Sequence, residues 1–297
     1  MIEAILQAVQ GLDLLPGGLA ADYMVEVGKN VSLHMKDRRD GTELSVKTFF
    51  DDRGENEARA LADAHRDLGD LVPAPLWAGW RGDMYLLVCA TVPHAKLTRD
   101  LVPGRIGLVS DALRRLTAYS LARATADGMA RGHGPYLRRL VDTLPSEDLR
   151  AGLARCLDRV DLSALDRLPL APQHSDFVIY NLGLRTDSGG ILIFDWEDYG
   201  RITTPGTDVT TFVSSCLGHD GAALAALRDR RAPADLAAIV DAGLAALGLS
   251  WDQYWTFAPL HVCAFIDLKV RLGYAQAVVR VLEKTAASLL APSHGES

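Results

Sequence analysis

Cysteine is scarce and poorly placed for chemistry. The 297 residues contain four, Cys89, Cys156, Cys216 and Cys263, scattered so that no two stand at metal-ligand spacing. A cysteine metal site is thereby excluded, and each thiol, set among apolar neighbours, is expected to be buried and free. Surplus positive charge is missing too: 31 Lys and Arg against 38 Asp and Glu leave a formal net charge of −7. That balance argues against a general affinity for nucleic acid or for an anionic membrane, both of which attract excess Lys and Arg. The opening Met1-Ile2-Glu3-Ala4-Ile5-Leu6 lacks a basic flank followed by a long apolar run, and no uninterrupted membrane-length segment occurs. A cytoplasmic protein is expected. Repeats and low-complexity tracts are also lacking. What remains is ordinary: 48% hydrophobic and 23% charged residues, over a length that suits one large domain or two lobes.

Taken in order, Ile2, Ile5, Leu6 and Val9 recur at helical spacing and predict a short amphipathic helix to about residue 11. Leu15-Pro16-Gly17-Gly18 ends it. Three strands follow, Tyr23 to Val27, Val31 to Met35 and Leu44 to Phe50, separated by Gly28-Lys29-Asn30 and by a turn closing on Asp40-Gly41. They predict an antiparallel meander. On the third strand Leu44, Val46, Thr48 and Phe50 share one face, and Ser45, Lys47 and Phe49 the other. Glu55 to Leu68 carries a helical stripe of Ala58, Leu61, Ala62, His65 and Leu68, with Glu57 at its edge. Met84 to Cys89 reads as a buried strand, and Ala90 to His94 as a hinge.

From Leu108 the pattern is helical: one long helix to about Asp127, then Tyr136 to Leu144 and Leu149 to Val160. Pro169 and Pro172 interrupt it. Ala222 to Leu227, Pro233 to Leu247 and Trp251 to Leu290 are helical again. The predicted fold class is α+β in two lobes. A small antiparallel-sheet lobe covers residues 1–90, and a larger, mainly helical lobe covers 91–297.

Within the second half stands Gln173-His174-Ser175-Asp176-Phe177-Val178-Ile179-Tyr180-Asn181. The apolar run Ile191 to Phe194 then closes on Asp195-Trp196-Glu197. An H-x-D loop, an Asn five residues after the Asp and a later Asp ending an apolar strand form the order that phosphoryl transfer uses. That reaction needs a positioned hydroxyl, metals neutralising phosphate oxygens and a closed cleft. Asp176 would orient the hydroxyl, and Asn181 and Asp195 offer hard oxygen ligands suited to Mg²⁺. Upstream, a strand Lys47 paired with a helix Glu57 would anchor phosphates, with Glu55 as the fallback partner. Each residue alone has a plainer reading: a turn-capping Asp, a turn-forming Asn, a solvated acidic loop, an exposed strand Lys. The joint order is what lifts the set.

On these residues the sequence resembles the aminoglycoside phosphotransferase and choline kinase superfamily of small-molecule kinases, from about Tyr23 to the C-terminal helices. The resemblance implies a protein-kinase-like fold with Asp176 as catalytic base, Asn181 and Asp195 as metal ligands, and Lys47 with Glu57 as the phosphate anchor. It implies that Gly28 belongs to the loop over the phosphates and that the hinge backbone at Cys89 and Thr91 meets the adenine. His174 and Asp208, the latter in Pro205-Gly206-Thr207-Asp208, would support the catalytic loop. The implied cofactors are ATP, with GTP as a possible substitute, and Mg²⁺; the partner is a small-molecule hydroxyl acceptor. Two features depart from the family. Val178-Ile179-Tyr180 stands where His-Pro-Gly or similar is frequent, and a G-x-G-x-x-G loop is absent.

Residues that could read the acceptor are Glu197, Asp198, Asp220, Asp252 and Asp267, which would hold ammonium groups, and Trp255 or Tyr254, which would stack on a sugar or cage a quaternary amine. An amino sugar or aminoglycoside-like compound is the first expectation, choline or another amino alcohol the next. The plainer reading makes Trp255, Phe257 and Leu260 core and the acids solvated. Two other classes stay open. One is a nucleotide-binding protein without turnover, against which intact Lys47, Asp176, Asn181 and Asp195 count. The other is a kinase of protein Ser or Thr, against which the missing Ala-Pro-Glu after Asp195 counts.

Overall fold

Alternating side chains on residues 43–49 organise the first of two compact units. The computed structural model describes residues 2–12, 14, 22–27, 30–37, 39–231 and 234–290, with 22–27 described by backbone alone. Helix α1 (Ile2–Gln10) precedes the antiparallel strands β1 (Asp22–Val27), β2 (Val31–Lys36) and β3 (Glu43–Phe49). After α2 (Arg53–Leu68), strands β4 (Pro75–Arg81) and β5 (Met84–Ala90) complete a five-stranded sheet of order β1-β2-β3-β5-β4. Val31, Leu33, Met35, Leu44, Val46, Met84, Leu86 and Val88 close over Ile5 and Val9 of α1. Each such fully buried side chain contributes about 1.5–3 kcal/mol. The opposite face of β3 carries Lys47, set between Ser32 and Leu87 in register.

Two details differ from the pattern expected. Phe50 lies one residue beyond the strand and is 51% exposed, whereas Phe49 is fully buried. Strand β4 had no predicted counterpart. It is an edge strand opened by Pro75, where a missing N–H is tolerated, and most of its side chains are partly or fully exposed. A second sheet of order β6-β7-β8 combines β6 (His94–Lys96), β7 (Leu182–Arg185) and β8 (Ile191–Ile193). Residues 1–95 and 183–198 form the first unit, and 96–182 with 199–297 the second. The segment bearing Asp195 therefore joins the first unit, across the boundary expected at residue 90. The cause is local: β7 and β8 extend from β6, and the turn at Trp196–Asp198 packs on α2.

The second unit is built from α3 (Ile106–Ala126), α4 (Gly134–Thr143), α5 (Glu147–Arg159), the single turn α6 (Ser163–Asp166), α7 (Thr207–Cys216), α8 (Gly221–Arg228), α9 (Ala234–Leu247), α10 (Trp251–Arg271) and α11 (Gln276–Leu290). Helix α3 packs on α9, and α10 packs on α7, α11 and α4. A capping box fixes the start of α10: Ser250 Oγ accepts from Gln253 N, and Gln253 Oε1 accepts from Ser250 N. Its side chains are buried from Phe257 through Lys269. The sequence pattern predicts one helix over 251–290. The chain instead breaks at residues 272–275, where Gly273 takes a left-handed φ of 68° that ends α10. No single helix among the described residues is long and apolar enough to cross a membrane.

Gly54, in the first turn of α2, is required by close approach. A Cβ there would stand 2.5 Å from Tyr85 Cδ1 and 2.9 Å from Phe49 Cδ2. Gly54→Ala is expected to lower stability by about 1–3 kcal/mol through overpacking. Gly107→Ala in α3, where a Cβ meets nothing within 4 Å, should raise it by up to about 1 kcal/mol. Chemical denaturation of the two variants measures both, and equal effects would remove the packing account of Gly54.

Candidate active site

In the first unit the site is built around one ammonium. Strand alternation puts Lys47 on the α2 side of β3, and the helical period puts Glu57 there to meet it. Lys47 Nζ lies 2.8 Å from Glu57 Oε2, 2.6 Å from Asp195 Oδ1 and 3.2 Å from Glu197 Oε2. Glu55, the fallback partner, instead accepts from Trp80 Nε1 at 2.7 Å on the exposed side. Burial works against the charge on Lys47, but Glu57, Asp195 and Glu197 override it and hold its pKa above the ordinary lysine value. Burial raises Glu57, and Lys47 pulls it back. Asp195 follows β8 in a left-handed conformation, φ 63°, uncommon for a residue with a side chain and a mark of local constraint.

Glu197 is deep in this cluster. Its Oε2 accepts from Asn30 Nδ2 at 2.7 Å, its Oε1 lies 3.8 Å from Arg53 Nη1, and its carbonyl accepts from Asn56 Nδ2 at 2.9 Å. Asp198 is buried in the same unit. Oxygens of Glu57, Asp195 and Glu197 all lie within 4.8 Å of one another. Three hard carboxylate donors so close together fit a divalent cation such as Mg²⁺. Cys89 is buried on β5, and burial pushes its thiol up to about 12. The N–H of Thr91 donates to Glu43 O at 3.0 Å, continuing the sheet. Gly28 lies outside the described residues.

In the second unit one face of α7 fixes the loop carrying Asp176. Asp208, Thr211 and Ser215, at i, i+3 and i+7, all face it. Asp208 Oδ2 accepts from His174 N at 2.8 Å and Oδ1 from Ser175 N at 3.1 Å. Thr211 Oγ1 donates to Phe177 O at 3.2 Å, and Ser215 Oγ accepts from Ile179 N at 3.0 Å. Ser175 has φ 69°, and its hydroxyl bridges Gln173 O and Ile202 N. The His174 ring is buried edge-on to Phe177 at 6.0 Å. Thus held, Asp176 meets Asn181, whose Nδ2 donates to Asp176 O at 2.9 Å and Oδ2 at 3.1 Å.

One participant was not singled out in the sequence. Lys269, buried near the end of α10, places Nζ 2.7 Å from Asp176 Oδ1. Its only signal was a cation, one of two with Arg271, in the last turn of a largely apolar helix. Of the expected acceptor-reading residues, Asp267 is paired with Arg271 at 2.8 Å, Asp220 caps α8 by accepting from Ala222 N at 2.8 Å, and Asp252 sits in the first turn of α10. Trp255 is buried against Trp251 and Tyr254, with ring centroids 5.6 and 5.3 Å away. It helps line an open groove of about 1370 Å³ with Asp252, Arg155, Arg228 and Arg280, and none of the residues named above around Lys47 or around Asp176 lines it.

No protein-family model and no curated protein matches the sequence. Solved structures do match. A choline kinase from Streptococcus pneumoniae aligns with a TM-score of 0.64 at 14% identity, covering 97% of this chain and 98% of that one. An ethanolamine kinase from Plasmodium vivax gives 0.60 at 11% identity, over 97% and 86%. The fold is that of small-molecule phosphotransferases. A type VIII aminoglycoside 3'-phosphotransferase extends the same likeness, at 0.56 and 20% identity over 89% and 98%. At these identities the likeness is one of fold, and it bears out the kinase-like α+β architecture expected from the sequence.

Burial raises the Asp208 carboxyl to about 7; the N–H groups of His174 and Ser175 oppose the rise, and Asp176 adds to it. An unfolded Asp titrates near about 3.9, so between the two values the folded chain binds more protons. The contribution of Asp208 is therefore complete below the lower value and lost as pH rises through the upper one. Comparing thermal melts of Asp208→Asn with the parent isolates this group. The parent should lose stability relative to the variant as pH rises from about 5 to about 8. A difference independent of pH would mean that Asp208 stays ionised throughout.

Proposed function

We propose that the protein is an ATP- and magnesium-dependent phosphotransferase that moves the γ-phosphoryl group to a hydroxyl of a small molecule. The observation that carries the reading is Lys47 in contact with both Glu57 and Asp195, residues 10 and 148 positions away in sequence. A strand lysine held by a helix glutamate, beside a carboxylate that ends an apolar strand, is the grouping used to hold nucleotide phosphates and their metal. Asp195 and Asn181 are the proposed metal ligands, with Glu197 beside Asp195. Magnesium, when bound, supplies charge neutralisation for the phosphate oxygens.

Asp176 is the proposed base. Its carboxylate takes the acceptor hydroxyl's proton as that oxygen bonds to the γ-phosphorus. The bond from phosphorus to the β,γ-bridging oxygen breaks, and ADP leaves with the bridging electrons. The loop's fixation by Asp208, Thr211 and Ser215 supports this role, because orienting a nucleophile demands a carboxylate that does not wander. Lys47, in its grip of three carboxylates, would anchor phosphate oxygens. The amino-sugar or amino-alcohol acceptor expected from the sequence finds less support: Glu197 belongs to the first unit's cluster, Asp198 is buried in that unit, and Asp267 is already paired with Arg271.

Asp176→Asn, which keeps the side-chain shape, should lower kcat by about 10²–10⁴ while ATP binding changes little. Steady-state ADP release and nucleotide titration provide the two measurements. Retained turnover would remove Asp176 from its assigned role.

A further inference from the structure

Around Asp176, besides Asp208, which is buried against the loop backbone, the second unit supplies cations. Lys269 is buried, its side chain 4% exposed, with the rings of Phe265 and Tyr274 at 4.9 and 4.3 Å from Nζ and the Tyr274 hydroxyl at 3.3 Å. A desolvated ammonium persists there because Asp176 compensates it. In doing so it cancels the one negative charge that Asp176 would offer to an approaching ammonium.

A second cation is bonded to the loop that carries Asp176. Tyr180, adjacent to Asn181, accepts from Arg99 Nη2 through its hydroxyl at 3.2 Å. The guanidinium lies over Gly218, where a Cβ would come within 3.0 Å of Nη1, so the glycine makes room for it. Among the described residues Arg99 makes no ion pair with a carboxylate; its partner is a phenol. His219 follows Gly218, with Nδ1 3.0 Å from Ser214 Oγ. Burial lowers its pKa, Arg99 and Lys269 act in the same direction, and Asp176 opposes them. The imidazole thus registers all three charges in one neighbourhood.

Resting on the phosphotransferase reading, we propose that the acceptor carries an anionic group, a carboxylate or a phosphate, beside the hydroxyl that Asp176 orients, and that Arg99 and Lys269 receive it. Arg99 supplies the planar fork that either anion accepts in bidentate fashion. Lys269 supplies a buried point charge that an anion can share with Asp176. An ammonium-bearing acceptor would meet two cations against one carboxylate.

Thermal melts of the full-length protein test the proposal. Mg²⁺ and ADP are added to saturation first, and their stabilising effect reports on nucleotide binding alone. Acetate and methyl phosphate are then titrated as the two anion arms, against tetramethylammonium as the cation, all at matched ionic strength. At least one anion should raise Tm saturably, tetramethylammonium should not, and Arg99→Ala should weaken the anion's apparent Kd by about tenfold. Absence of a saturable anion response, an equal response in Arg99→Ala, or a response to the cation instead overturns the proposal. A methyl phosphate response abolished when a non-hydrolysable ATP analogue replaces ADP, with none to acetate, assigns Arg99 to the γ-phosphoryl group and overturns it as well. Anion responses that survive where ADP gives no stabilisation leave the anion site standing and remove the nucleotide reading.

Discussion

A buried ammonium needs compensating charge, and the first unit is arranged to supply it. Lys47 is 21% exposed at the side chain and touches three carboxylates that arrive from α2 and from the turn after β8. Removing Lys47 would leave three carboxylates clustered without their shared counter-ion, and stranding a charge in this way costs about 3–5 kcal/mol for a buried pair. That constraint ties β3, α2 and residues 195–197 into one arrangement. It also accounts for residues 183–198 keeping company with the N-terminal sheet, after the chain has left it for residues 96–182. One ammonium does not neutralise three carboxylates. Arg53 and Asn30 relieve part of the excess at Glu197, and a divalent cation would relieve the rest.

The second unit meets a different demand: aiming a carboxylate from a loop. Its solution is to borrow rigidity from α7. Gly206 caps that helix with φ 94° in a space where a Cβ would stand 3.0 Å from His261 Cε1, so the helix start is fixed by packing. Asp208 then occupies the first turn, where a negative charge is favoured by the helix dipole, and turns its two oxygens onto consecutive N–H groups of the loop. Burial opposes that charge while the donors sustain it. The loop is therefore held by a group whose own ionisation is finely balanced, which links the stability of this region to pH.

Legibility in the sequence followed the length and period of each element. The meander and α2 were readable because period 2 and period 3.6 persist there, and β5 because an unbroken apolar run stands between Gly82-Asp83 and Pro93. Lys47 and Glu57 were readable for the same reason, since each lies at a definable phase of a regular element. Strand β4 escaped because Pro75, Gly79 and Arg81 dilute the alternation, and an edge strand has little need of it. β7 escaped because four residues, one of them Gly183, carry no period. Helices α10 and α11 merged because the apolar stripe continues through Leu272 and only Gly273 marks the break. Glu197 was expected to face an acceptor, but nothing in a sequence says on which side of a single turn a side chain falls. Lys269 was overlooked because a lysine in the last turn of a helix ordinarily serves the helix dipole from solvent.

The loop departure at Val178-Ile179-Tyr180 has a physical sense once α7 is in place. Ile179 is fully buried and its N–H is held by Ser215, so the segment is anchored by its middle residue. Tyr180 is thereby turned outward, 62% exposed, with its hydroxyl available to Arg99. A glycine in place of Tyr180 would leave the Ile179 anchor but offer no phenol to Arg99. The substitution thus couples the residue before Asn181 to a guanidinium that the fold does not require. Fold likeness at 11–20% identity reaches the arrangement of strands and helices. The sign of the charge beside Asp176 is set by individual side chains, Lys269 and Arg99, and these can change while every helix stays where it is.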